Sequence, residues 1–99
     1  MAKSTIIFWR DIPSQVVVKQ GRTTAKTQLS KRFMEAIDKS AMRAGRQGSK
    51  EYLEDWRRVI ENCQGEPETV ANTIAEELEQ QFSDDVLKAM VKNKGFKIE

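Results

Sequence analysis

A single α+β domain spanning residues 1–99 is predicted for this chain, and three observations carry the prediction. Two β-branched and aromatic runs near the N-terminus, residues 4–10 and 14–20, read as strands. Apolar residues recur at helical spacing in three later segments. Charged residues make up 32% of the chain and hydrophobic residues 38%, the balance of a soluble folded domain rather than a disordered one.

In chain order, "STIIFWR" (4–10) places Ile6 and Phe8 on one face of a strand and Ile7 and Trp9 on the other. "DIPS" has turn chemistry, with Pro13 fixing φ where the chain reverses. "SQVVVKQ" (14–20) is the second strand of an antiparallel hairpin, ended by Gly21. Residues 22–29 are polar and show no period, so no element is predicted there. From Ser30, a candidate N-cap, to Ala44 the residues Phe33, Ala36, Ile37, Ala41 and Ala44 form a helical stripe. The opposite face carries Lys31, Arg32, Lys39 and Arg43, with Arg46 beyond, and Gly45 sits at the terminator position.

"GSKEYLEDWRRVIENCQG" (48–65) admits two readings. Ser49 could cap one long helix with Tyr52, Trp56, Ile60 and Cys63 on a face. Alternatively a short helical turn over 49–55 leads into a strand over 56–63. The second is preferred, because two strands alone make a poor sheet and a third stabilises it. "EPETVANTIAEELEQQF" is the clearest helix, with Pro67 in its first turn and Val70, Ile74, Leu78 and Phe82 every four residues. "SDDVLKAMVKNKG" follows as another, capped by Ser83 and ended by Gly95. The tail "FKIE" reads as frayed.

Composition excludes several chemistries. There is no histidine, which removes the commonest general base and transition-metal ligand and with them a Ser-His-Asp triad. The one cysteine, Cys63, cannot form an internal disulfide and has no histidine to activate it, so a buried inert thiol in a reducing cytoplasm is expected. The longest apolar runs, Ile6–Trp9 and Val16–Val18, are far too short to span a bilayer. Arg10 and Asp11 cut off the first run, so no export leader is read there. The carboxylate pairs Glu76–Glu77 and Asp84–Asp85 fall on a solvated helix face and a helix start, where they serve solubility and the helix dipole. No catalytic residue, metal site or cofactor is predicted.

Charge is divided along the chain. Residues 1–50 hold eleven Lys/Arg against three Asp/Glu, giving +8, and residues 51–99 hold six against twelve, giving −6, together the net +2. Either the halves attract one another in the fold, or a basic face meets an acidic or phosphate-bearing partner. "FWRD" and "DWRR" set Trp9 and Trp56 beside Arg10, Arg57 and Arg58. Exposed Trp–Arg pairs suit protein hot spots, or, with Tyr52, single-stranded nucleic acid. The competing reading is a core tryptophan with an Arg–Asp pair tying the sheet edge. Arg10 and Asp11 point to opposite sides of an extended strand and cannot readily pair with each other. Asp11 is therefore assigned to accept backbone N–H groups near Ser14, and Arg10 to bind a partner.

The stretches "IIFWRDIPSQVVV", "GRTTAKTQLSKRFMEAIDKSAMRAG" and "YLEDWRR" resemble a small bacterial family labelled "virulence factor", over about residues 5–58. The family also forms a terminal domain of larger virulence proteins with HEAT-like repeats, which implies an interaction module rather than a self-sufficient enzyme. Its members occur near genes of corrinoid- and folate-linked methyl transfer, which implies, as an alternative, a small subunit assisting that chemistry. Where this sequence has Ser30 the family form has a proline, and either residue suits a helix start. The resemblance singles out Trp9, Arg10, Asp11, Pro13, Gly21, Arg22, Arg32, Phe33, Asp38, Arg43 and Trp56. From these and the composition, partner binding is assigned to Trp9, Arg10, Arg22, Arg32, Arg43, Trp56 and Arg57. Structural roles fall to Asp11, Pro13, Gly21, Phe33 and Asp38. The expected function is that of a non-catalytic adaptor with a protein partner, and nucleic-acid binding by the basic half is the weaker alternative.

Overall fold

Residues 2–28 form an antiparallel meander of β1 (Ala2–Trp9), β2 (Ile12–Gln20) and β3 (Thr23–Gln28). A fourth strand, β4 (Trp56–Cys63), returns to the free side of β1, so the sheet runs β3-β2-β1-β4 with every neighbour antiparallel. The helices are α1 (Lys31–Arg43), α2 (Lys50–Glu54), α3 (Pro67–Gln81) and α4 (Asp84–Lys92). This computed structural model describes residues 2–46, 48 and 50–97. Among them no helix is long and apolar enough to cross a membrane.

The architecture is the predicted α+β class, and the preferred reading of 48–65 holds: a short α2 leads into β4. The capping role for Ser49 lies outside the described residues. One strand escaped the sequence reading. "TTAKTQ" is β3, because its inward positions, Ala25 and Thr27, are too small or too polar to register as a hydrophobic alternation.

The first reversal also differs from expectation. The turn residues are Arg10 and Asp11, since Trp9 already pairs with Ile12. Arg10 takes a positive φ of 55°, uncommon for a residue with a Cβ. Pro13 lies inside β2, buried, where the register jumps from Ile7↔Gln15 to Phe8↔Pro13. That irregularity absorbs the missing N–H, which is how a proline is tolerated inside a sheet.

Alternation divides the sheet into two faces. Ser4, Ile6, Val16 and Val18 share one face and meet the helices. α3 packs on β2 and β3, and α4 packs on α1. Trp9, Ile12, Val16, Val18, Phe33 and Ile37 are the largest side chains shut away from water. Helix ends follow the local chemistry. Ser83 Oγ accepts the Val86 N–H as N-cap of α4. At the end of α1, Gly45 (φ 70°) lets its N–H reach Met42 O while Arg46 N–H reaches Ala41 O, a Schellman closure. Ser30 begins α1 but does not cap it with its side chain. Its N–H and Oγ–H are both donated to the Glu79 carboxylate, at 2.7 and 2.8 Å.

Candidate functional site

The Trp-Arg-Asp turn is an internal anchor. Trp9 is fully buried, and its indole N–H donates to Tyr52 O at 3.0 Å. Arg10 is only 8% exposed. Its guanidinium pairs with Asp55 at 3.2 Å and donates to Lys94 O at 2.7 Å, lying 4.9 Å from the Trp9 ring centre and 4.4 Å from that of Phe96. These contacts correct the partner-binding assignment of Trp9 and Arg10: both are consumed inside the protein. Burying the indole and surrounding the guanidinium with an ion pair, a carbonyl and two rings leaves neither group to present outward.

Asp11 is a structural tie, but to other groups than the Ser14 backbone. Its carboxylate accepts the Lys97 N–H at 2.7 Å and Arg57 Nη2 at 3.1 Å, and its own N–H donates to Gly95 O. The tail is thereby held as far as Lys97, which corrects the expectation that it frays; Ile98 and Glu99 lie outside the described residues. Gly95 is needed there, since a Cβ at its φ of 93° would sit 2.8 Å from the Trp9 ring.

The other assigned residues scatter. Arg32 bridges α1 to the α3–α4 junction, donating to Glu79 O at 2.6 Å, to the Glu79 carboxylate at 3.0 Å, to Phe82 O and to Asp84. Burial alone would push the Glu79 carboxyl up, but the bonds from Ser30 and the Arg32 guanidinium outweigh it and hold the group below its usual range. So Arg32 is a strut rather than an open hand. Phe33 is buried against Phe82, edge to face. Gly21 takes a φ of 59° in the turn between β2 and β3, beside exposed Arg22. Asp38 is exposed on α1, and its charge adds to burial in raising the Tyr52 pKa. Trp56 is half-buried against Tyr52, and Arg57 spans Arg10 O, Asp11 and the Phe8 ring. Arg43 is exposed, in a shallow cleft between α1 and α4 where Lys39, Lys88 and Lys92 mix with Glu35 and Asp84. Cys63 is half-buried opposite Ala2.

The face opposite Ser4, Ile6, Val16 and Val18 is different in kind. Register aligns it in three rows across all four strands: Asn62–Lys3–Lys19–Thr24, Ile60–Thr5–Val17–Lys26, and Arg58–Ile7–Gln15–Gln28. None of these residues is buried, and Ile60 is 61% exposed. Four are cationic and none is acidic. An aliphatic centre is thus ringed by amides, hydroxyls and positive charge. At the end of the third row, Met34 of α1 and Trp56 close a hollow of about 770 Å³ with Ile7, Gln15, Gln28 and Arg58.

Of the residues assigned to partner binding from sequence, Trp56 and Arg57 line this hollow. Lys3, Lys19 and Lys26 carry no such assignment, and Arg58 enters the sequence reading only as a neighbour of Trp56. Their signal is a period of two along each strand, but it joins into a patch only once the strand order is known.

A family model described as virulence factor matches residues 7–91, from β1 to α4 and well beyond the stretch that carries the resemblance. No curated protein and no solved structure matches the chain.

Proposed function

The chain belongs to the virulence factor family, and from that premise we propose that it is a non-catalytic accessory protein that docks an acidic segment of a partner protein on the open face of its sheet. The observation that supports this reading is the composition of the three rows. This sheet face carries Lys3, Lys19, Lys26 and Arg58 around Ile7, Val17 and Ile60, none of them buried and with no carboxylate among them. Complementary charge steers and selects a partner, while apolar contact at the centre holds it.

Lys3 and Lys19 stand directly opposite one another. Like charges in that position destabilise a sheet, so the pair is better explained by what it meets than by what it does for the fold. Single-stranded nucleic acid is the less favoured occupant. Stacking platforms present aromatic rings, and here the centre is aliphatic, with Trp56 only at the rim.

The test is capture from extracts of the native host by the full chain and by a Lys19→Glu/Lys26→Glu variant, each with and without nuclease. The reading expects a protein that survives nuclease treatment, binds through an acid-rich segment, and is lost at least tenfold with the variant. Recovery that depends on nucleic acid, or equal recovery by the variant, would overturn it. If the captured protein is a component of a methyl-transfer system, the accessory role is assigned to that chemistry.

A further inference from the structure

We infer that β4 pairs with β4 of a second copy of this chain, joining two sheets into one of eight strands about a two-fold axis through Val59. The inference does not rest on the reading of the open face. Among the described residues, β4 is an edge strand that bonds only to β1. It is eight residues long and has neither proline nor register shift, so of the usual protections of an exposed edge it keeps only charge, at Arg57, Arg58 and Glu61.

The phase of its free groups can be read from the ladder. The Arg10 N–H donates to Asp55 O, and bonded pairs alternate along an antiparallel ladder. Arg57, Val59 and Glu61 therefore bond inward to β1, while Trp56, Arg58, Ile60 and Asn62 turn their N–H and C=O groups outward. A two-fold antiparallel partner must match outward residues with outward residues, which limits the registers.

Centred on Val59, Arg58 bonds with Ile60 of the other copy and Trp56 with Asn62, each pair exchanging two N–H···O bonds. The same register sets Arg57 opposite Glu61, twice by symmetry. Arg57 commits Nε and Nη2 to Arg10 O and Asp11, which leaves Nη1 for that carboxylate. The stem of Arg58 crosses Ile60, the strand's 61%-exposed apolar side chain. Shifting the centre to Arg58 sets arginine against arginine, and shifting it to Ile60 sets Arg57 against Cys63, so charge complementarity selects Val59. The self-complementary patch is isologous, as a closed dimer requires. It would also bring two open faces into one surface.

The experiment uses the full chain. A strand-edge contact is small, so association is read by sedimentation over about 10–300 µM. The wild type should dimerise, and Ile60→Pro, which removes an outward N–H but no bond to β1, should weaken dimerisation at least tenfold with the circular dichroism unchanged. Glu61→Arg, which sets arginine against arginine without touching the backbone, should do the same. In a Cys63→Ser background, Val59→Cys should form an intermolecular disulfide under mild oxidation, because the two copies of residue 59 face each other at non-bonded-pair distance. Glu61→Cys in the same background should not. A chain that stays monomeric across that range, or cross-links equally at both positions, overturns the proposal.

Discussion

Lys3 of β1 stands directly opposite Lys19 of β2, both exposed, on the face of the sheet opposite Ser4 and Val18. An opposing pair of like charges is unfavourable on a sheet, whereas an opposite-charge pair contributes roughly 0.2–1 kcal/mol. Replacing Lys19 by glutamate converts it to an attractive pair. Lys19→Glu should therefore match or exceed the wild type in urea unfolding, by up to about 1 kcal/mol, while reducing partner capture. A variant that gains stability and keeps full binding would separate the lysines from function.

Arg10 and Asp11 follow Trp9 directly at the end of β1. The pair forms the turn, and each member ties it to a distant segment: Arg10 to Asp55 and Lys94, Asp11 to Arg57 and Lys97. Arg10→Ala should cost roughly 2–4 kcal/mol, because Asp55 and Lys94 O lose a buried charged donor. Arg10→Lys should recover only part of this, lacking the planar group that lies between Trp9 and Phe96. Denaturant midpoints of the two variants decide it. A cost under about 0.5 kcal/mol, the range of ordinary surface substitutions, would return Arg10 to the surface.

Gly95→Ala should destabilise the chain by roughly 1–3 kcal/mol, combining strain at φ 93° with a methyl driven to 2.8 Å from the Trp9 ring. The indole reports the change directly, so tryptophan fluorescence should shift along with the unfolding midpoint. An unchanged spectrum would mean that the tail does not close over Trp9.

Acid should loosen the joint between α1 and α3. The Glu79 carboxyl is held below its ordinary value of 4.5 by Ser30 and Arg32, against the opposing effect of burial. A lowered folded-state value means that the stabilisation is complete above the unfolded value and is lost as pH falls through the folded one. Unfolding free energy should decline below about pH 4.5 with a component that Glu79→Gln removes. An identical acid limb in the variant would place the sensitivity elsewhere.

Much of this architecture is legible in the sequence because the signals are local. Val70, Ile74 and Leu78 announce α3, the β-branched runs announce β1 and β2, and the sheet's need for another strand favours β4. What is not legible depends on partners far away in the chain. β3 carries only Ala25 and Thr27 toward the helices, so its alternation is masked. Asp-Ile-Pro-Ser looks like a turn until the register shift shows that a proline fits within β2. Trp9 and Arg10 resemble an exposed hot spot, and only Tyr52, Asp55 and Lys94, more than forty residues away, reveal an anchor. The basic face is the extreme case: Lys3, Lys19, Lys26 and Arg58 come from four strands and meet only through their register.

Docking of an acidic protein segment on the open face is decided by site-specific photo-cross-linking in the native host. A photoreactive residue at Val17, in the middle row, is compared with one at Lys88 on α4, and the adducts are mapped by mass spectrometry. A discrete protein adduct is expected at position 17, joined through an acid-rich segment, absent at position 88 and abolished by Lys19→Glu/Lys26→Glu. An adduct to nucleic acid at position 17, or a protein adduct at position 88 with none at 17, would contradict it.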